Sequence, residues 1–187
     1  MKKLLFIDRD GTIIKETLDE RIDSFEKLYF YPKALYYLAK ISKKLSFDIV
    51  MVTNQDGLGT EYLPLEKFNP IHQFIIKSFE NEGVTFKEIL IDDSFPNDNK
   101  NTRKPNIGLI EHYIKDKKYN LKDSIMIGDR LTDIEFAKNF GGKAIFINDN
   151  TNLGTNEISV KKEMLLPYII LETNSWKNIY KFLKKIK

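Results

Sequence analysis

The stretch L4-L5-F6-I7-D8-R9-D10-G11-T12 sets four apolar residues directly against two carboxylates, spaced two apart, and a glycine. A short, unbroken apolar run suits a strand buried on both faces. An acidic pair at its carboxyl end stands where open α/β sheets gather ligand-binding residues. Three more runs repeat the pattern: IVMV (49–52) leads into TNQDG, EILI (88–91) into DDS, and SIMI (124–127) into GDRLTD. Reactive side chains therefore collect at one edge of a sheet.

Between these runs lie longer amphipathic segments. The alternation predicts strands at Lys3–Asp8, Asp48–Thr53, Phe86–Ile91, Ser124–Ile127 and Lys143–Ile147. Helices are predicted at Tyr31–Leu45, Glu66–Glu82, Gly108–Asp116 and Thr132–Phe140, with a final strand near Tyr168–Leu171 and a helix from Ser175. Strands separated by helices imply an α/β fold: a Rossmann-like, doubly wound, mostly parallel sheet with helices on both faces. Residues 92–106, rich in Asn, Asp and Pro, read as a loop, and 149–156 as turn-like.

The chain has 187 residues, 42% of them hydrophobic, which suits one domain over residues 1–187. No apolar run reaches the length of a membrane span, and the four apolar residues after Lys2 and Lys3 fall short of a signal peptide, so no membrane partner is expected. With no cysteines there are no disulfides and no thiolate metal sites, which fits a cytoplasmic protein. A formal charge of +3 is too small to argue for nucleic acid, and a small anionic substrate suits it equally well. The lysines at 181, 184, 185 and 187 read as the solvated face of a helix.

Asp8 and Asp10 start on one face of a strand before Gly11 frees the backbone, so both can reach one crevice. Two carboxylates this close raise one another's pKa, a tension relieved by a divalent cation or a shared proton. Asp129 and Asp133 form a second acidic cluster; all-oxygen ligands suit Mg²⁺, while Asp133 taken alone could equally cap the following helix. Phosphoryl transfer needs an in-line nucleophile, neutralised oxygen charge and a proton for the leaving alkoxide. Asp8 is the candidate nucleophile and Asp10 the candidate general acid and base. Thr53, Asn54 and Gln55 can donate to phosphate oxygens or approach the ligand, Lys104 supplies a point charge, and Arg103 can orient the phosphate or remain a surface charge.

These residues, in this order, resemble the haloacid dehalogenase superfamily: DRDGT at 8–12, Thr53, Lys104 and GDRLTD at 128–133 are similar to its four motifs. The resemblance covers roughly residues 1–148. It implies a minimal cap, an aspartyl-phosphate formed on Asp8, and Mg²⁺ held by Asp8, the main-chain carbonyl of Asp10 and Asp129, with Asp133 supporting the metal shell. A narrower likeness, in residues 53–75, 82–91 and 103–105, is to the histidinol-phosphate phosphatases of histidine biosynthesis. The related heptose-bisphosphate phosphatases share DRDGT and TNQ but usually continue differently after the glutamine. The resemblance thus implies a Mg-dependent phosphatase acting on histidinol phosphate. The alternatives are a heptose-bisphosphate or other sugar-phosphate phosphatase and a catalytically silent phosphate-binding protein. The family domain can be fused to an imidazoleglycerol-phosphate dehydratase, and this chain is expected to stand alone.

Both groups often carry a zinc loop of the form CPH…CxC before RKP. Here Asp92, Ser94, Lys100 and Thr102 stand at those positions, so no zinc is expected. Arg9 and Arg130, between motif carboxylates, could pair structurally or reach substrate. Among Glu16, Asp19 and Asp23, one could meet the ammonium of histidinol, or all could be solvated. His72 and His112 read as packing or surface residues.

Overall fold

A computed structural model describes residues 1–149 and 154–186. The part of the turn-like stretch at 150–153 lies outside them. Six strands form one sheet: β1 (Lys3–Ile7), β2 (Phe47–Asn54), β3 (Phe86–Asp92), β4 (Ile125–Gly128), β5 (Lys143–Ile147) and β6 (Ile169–Thr173). Their order is β3-β2-β1-β4-β5-β6, and every neighbouring pair is parallel. The chain winds outward from β1 to β3, then returns to lay β4 on the other side of β1. That reversal is the topological switch point, where loops diverge and open a crevice at the strands' carboxyl ends.

Strand alternation sorts side chains between two helical layers. Leu5, Ile7, Ile49, Met51, Ile125, Ile127, Ile145 and Ile147 pack in one core with α1 (Ala34–Lys44), α2 (Leu65–Asn81) and α5 (Trp176–Lys185). Leu4, Phe6, Val50, Val52, Met126, Ala144 and Phe146 face the opposite way, against α3 (Glu111–Lys115) and α4 (Leu131–Phe140). Both faces are covered, as the unbroken apolar runs require. Phe6, fully buried, packs edge-on against Phe136 at 5.8 Å, and truncating such a ring costs about 3–5 kcal/mol.

Some boundaries differ from those expected. The helix predicted from Tyr31 begins at Ala34, because Lys33 takes a left-handed conformation with φ 64° that breaks the turn before it. The helix predicted over 108–116 divides into a 3₁₀ turn at Gly108–Ile110 and the short α3. The final strand is Ile169–Thr173, and Ser175 lies just before α5. Trp176, fully buried at the start of α5, donates its indole N–H to the carbonyl of Thr12 at 3.0 Å, tying the last helix to the loop after β1.

Candidate active site

The switch point brings Asp8 and Asp129 together. The Asp8 N–H extends the ladder by donating to the Ile127 carbonyl at 3.0 Å, so the carboxyl ends of β1 and β4 stand side by side. Gly11, at φ +68°, turns the chain beneath Asp129: a Cβ there would lie 2.0 Å from that carboxylate. Gly128 makes similar room, since a Cβ on it would sit 2.2 Å from the Asp133 carboxylate. In both places glycine is required by close approach.

Asp8, Asp129 and Asp133 each place a carboxylate oxygen within 4.8 Å of the others, and all three residues are buried. Lys104 is the cation among them, with Nζ 2.8 Å from Asp8 Oδ1 and 2.7 Å from Asp133 Oδ1. Burial opposes its charge, but Asp133 and Asp8 together hold its pKa above the ordinary value. Burial first, then the charges of Asp8 and Asp133, push the Asp129 pKa well up. Burial likewise raises that of Asp133, against the pull of Lys104. One ammonium, bonded to two of three buried carboxylates, leaves negative charge unbalanced, and Asp129 Oδ2 is buried with no hydrogen-bond partner among the described residues. An orphaned carboxylate oxygen is costly in a protein interior. The all-oxygen donor set and that orphan fit a hard divalent cation.

Asp133 takes the capping role weighed for it, its Oδ2 accepting the Arg130 N–H at 3.0 Å at the start of α4, while its Oδ1 makes an ion pair with Lys104 that the sequence did not suggest. Asp10 lies outside the three-carboxylate cluster but lines the same crevice. Its Oδ1 accepts from Arg9 Nε at 3.1 Å and Nη2 at 3.0 Å, and its Oδ2 from Gln55 Nε2 at 2.6 Å. Arg9 is almost wholly buried over the Phe68 ring, which makes it a structural partner of Asp10. Gln55 also donates to the Thr53 hydroxyl at 2.9 Å. Both ends of the Asn54 amide meet the main chain of Lys104: Oδ1 accepts its N–H and Nδ2 donates to its carbonyl, each at 3.0 Å.

Residues 92–106 form a pinned loop. Asp92, buried at the end of β3, accepts from the Ser94 N–H at 3.0 Å, the Ser94 hydroxyl, and the Thr102 hydroxyl at 2.5 Å. Three of the four positions compared with zinc ligands thus bond one another, while Lys100 meets Asp93 at the surface, 3.3 Å away. The clasp closes the loop just before Arg103 and Lys104.

The mouth of the crevice holds residues that the sequence did not single out together. Arg103 reaches Asp56 at 2.7 Å, the Ser94 carbonyl at 2.7 Å and Glu157 at 2.8 Å. Arg130 reaches Glu16 at 2.7 Å, Glu20 at 3.1 Å and Glu157 at 3.3 Å. Burial pushes the Glu16 pKa up to about 7 despite Arg130 beside it. Tyr62, Leu63 and Thr132 complete the lining. Asp19 and Asp23 instead pair with Lys27 away from the crevice, at 2.6 and 2.7 Å. Glu157 has no neighbouring motif in the chain that could have marked it.

Comparison with known proteins accords with this geometry. The HAD-hydrolase-like family model matches residues 101–164. The chain is 47% identical over 183 residues to the histidine biosynthesis bifunctional protein HisB of Bacteroides fragilis, covering 97% of this chain and 47% of that protein. It is 43% identical to HisB of Spirosoma linguale, covering 98% and 49%. The chain therefore spans about half the length of these relatives. Among solved structures, the D,D-heptose 1,7-bisphosphate phosphatase of B. bronchiseptica, complexed with magnesium and phosphate, shares the fold with a TM-score of 0.80 at 20% identity, covering 99% of both chains. A putative HAD-like phosphatase of Mesorhizobium loti has a TM-score of 0.73 at 21% identity, covering 99% of this chain and 87% of that one.

A parallel sheet of this order, carrying acidic clusters after β1 and β4 and a lysine between them, defines a class, and the chain belongs to the haloacid dehalogenase superfamily. Within that class its sequence is similar to the HisB proteins of histidine biosynthesis.

Proposed function

We propose that residues 1–187 act as one phosphatase domain, hydrolysing histidinol phosphate to histidinol and inorganic phosphate in the cytoplasm. The observation that carries the reading is Lys104 bonded to both Asp8 and Asp133, beside the orphaned oxygen of Asp129. That arrangement holds one carboxylate ready as nucleophile in a site suited to neutralising phosphoryl charge.

In the first step an Asp8 carboxylate oxygen forms a bond to phosphorus as the bond to the ester oxygen breaks. Asp10 gives its proton to the departing alkoxide. Water then adds to phosphorus, Asp10 takes its proton, and the bond to Asp8 breaks to release phosphate. Arg9 and Gln55 orient Asp10 for both transfers, the Thr53 hydroxyl serves as a donor to phosphate oxygens, and Arg103, engaged by Asp56, the Ser94 carbonyl and Glu157, supports the bound phosphate through its positive charge. Asn54 serves phosphate binding through Lys104, whose main chain it grips at both ends. Asp8, Asp129 and the Asp10 main-chain carbonyl would hold Mg²⁺, with Asp133 in support; when bound, that ion supplies positive charge to the transferring phosphoryl group.

The substrate choice rests on the HisB likeness and on the mouth of the crevice. There Glu16, Glu20, Asp56 and Glu157 outnumber Arg103 and Arg130. A cationic leaving group suits this surplus, and the second phosphate of a heptose bisphosphate does not.

The decisive measurement is phosphate release from histidinol phosphate with Mg²⁺ by the wild type and by Asp8→Asn. The wild type should turn over and the variant should lose at least about a thousandfold, as when a nucleophile is removed from a cooperating set. Equal rates in the two proteins would overturn the assignment.

A further inference from the structure

Glu157 is the one residue that hydrogen-bonds both arginines at the mouth of the crevice, among the described residues. Oε2 meets Arg103 Nη2 at 2.8 Å and Oε1 meets Arg130 Nη1 at 3.3 Å. The two guanidiniums come from different loops, one after β3 and one after β4, and both side chains are largely buried, 7% and 17% exposed. Two such groups facing one crevice are what a second phosphate would bind, through paired N–H donors. With Glu157 between them, those donors are turned toward acceptors of the protein itself: Asp56 and the Ser94 carbonyl also hold Arg103, and Glu16 and Glu20 also hold Arg130.

The segment that carries Glu157 is itself anchored. Glu135, fully buried on α4, accepts the Ser159 N–H at 2.8 Å and the Ser159 hydroxyl. A buried carboxylate bonded two residues beyond Glu157 fixes where its side chain begins.

We propose that Glu157 is a specificity-determining residue, an internal carboxylate that occupies the arginine pair and so excludes substrates with a second phosphate. The proposal rests on the phosphatase reading for its catalytic consequence, but the exclusion itself is a binding property. Discrimination of this kind works by leaving an unwanted partner without donors and facing like charge.

The test compares wild type, Glu157→Gln and Glu135→Gln. Each is assayed for kcat/KM on histidinol phosphate and on a sugar bisphosphate, and for equilibrium binding of inorganic phosphate and of the same bisphosphate by calorimetry. Glu157→Gln keeps the side-chain shape and removes the charge, so bisphosphate should gain about tenfold over its comparator in both the kinetic and the binding ratio. Glu135→Gln loosens the segment while leaving Glu157 charged, and should shift both ligands together. An unchanged ratio in Glu157→Gln, or an equal ratio shift in Glu135→Gln, would overturn the proposal. Absence of phosphate release from either ester would count against the phosphatase reading alone, because the binding ratio still decides the role of Glu157.

Discussion

Asn54 shows how a side chain next to a site can matter through its neighbour. Its amide satisfies both main-chain groups of Lys104, and so sets where Nζ meets Asp8 and Asp133. Asn54→Leu would orphan one N–H and one carbonyl, at about 1–3 kcal/mol each. Urea unfolding should therefore show a loss of about 2–6 kcal/mol, and kcat should fall as well, since Lys104 loses its register against Asp8. Unchanged stability would mean that water replaces the amide at no cost. From sequence Asn54 reads as a phosphate donor, because the residue type and its place after a strand suit that task. Pairing with a backbone 50 residues away leaves no local trace. Asp8 and Asp129 stand out in the sequence because strand ends and glycine turns mark them, and Lys104 through its likeness to a family motif; Glu157 had no such marker.

At the level of elements, the loop over residues 92–106 replaces secondary structure with side-chain bonding. Asp92 accepts three hydrogen bonds from two residues, one of them ten positions along, and thereby positions Arg103 and Lys104 without a helix or strand of their own. Asp92→Ala should release the loop. Amide exchange over residues 93–102 should quicken while the strands stay protected, and KM should rise severalfold as Arg103 loses its anchor on the Ser94 carbonyl. Protection that stays at the wild-type level would show that Asp92 is dispensable. The run of Asn, Asp and Pro announces a loop, but composition does not reveal which carboxylate closes it. The division of the predicted 108–116 helix has the same origin: its pattern has helical period and does not show that the 3₁₀ turn at Gly108–Ile110 packs against β3 before α3 begins.

Across the whole molecule, apolar runs and their alternation specified the layers, because side-chain direction in a strand has only two values. They also left a titrating group partly buried in the interior. His72 stacks on Phe68 at 5.0 Å, and burial, followed by the charge of Arg9, lowers its pKa from 6.5 to about 4. Above pH 6.5 the ring is neutral in the folded and unfolded chain, and its contribution is fully present. As pH falls toward 4, the unfolded chain takes up a proton that the folded ring resists, so stability is lost, by up to about 3 kcal/mol. Thermal melts between pH 7 and pH 4 should show a steeper decline for the wild type than for His72→Phe. Parallel declines would remove His72 from the acid response.

The hydrogen bond from Trp176 to Thr12 joins residues 164 positions apart. It walls the loop after β1 with a residue of α5, so the DRDGT motif is completed only by chain that lies far beyond it in sequence. Every residue of the acidic cluster is synthesised before that wall exists. Assembly of the site is thus an event of high contact order, and the nascent chain must hold the Asp8 loop in waiting until α5 arrives.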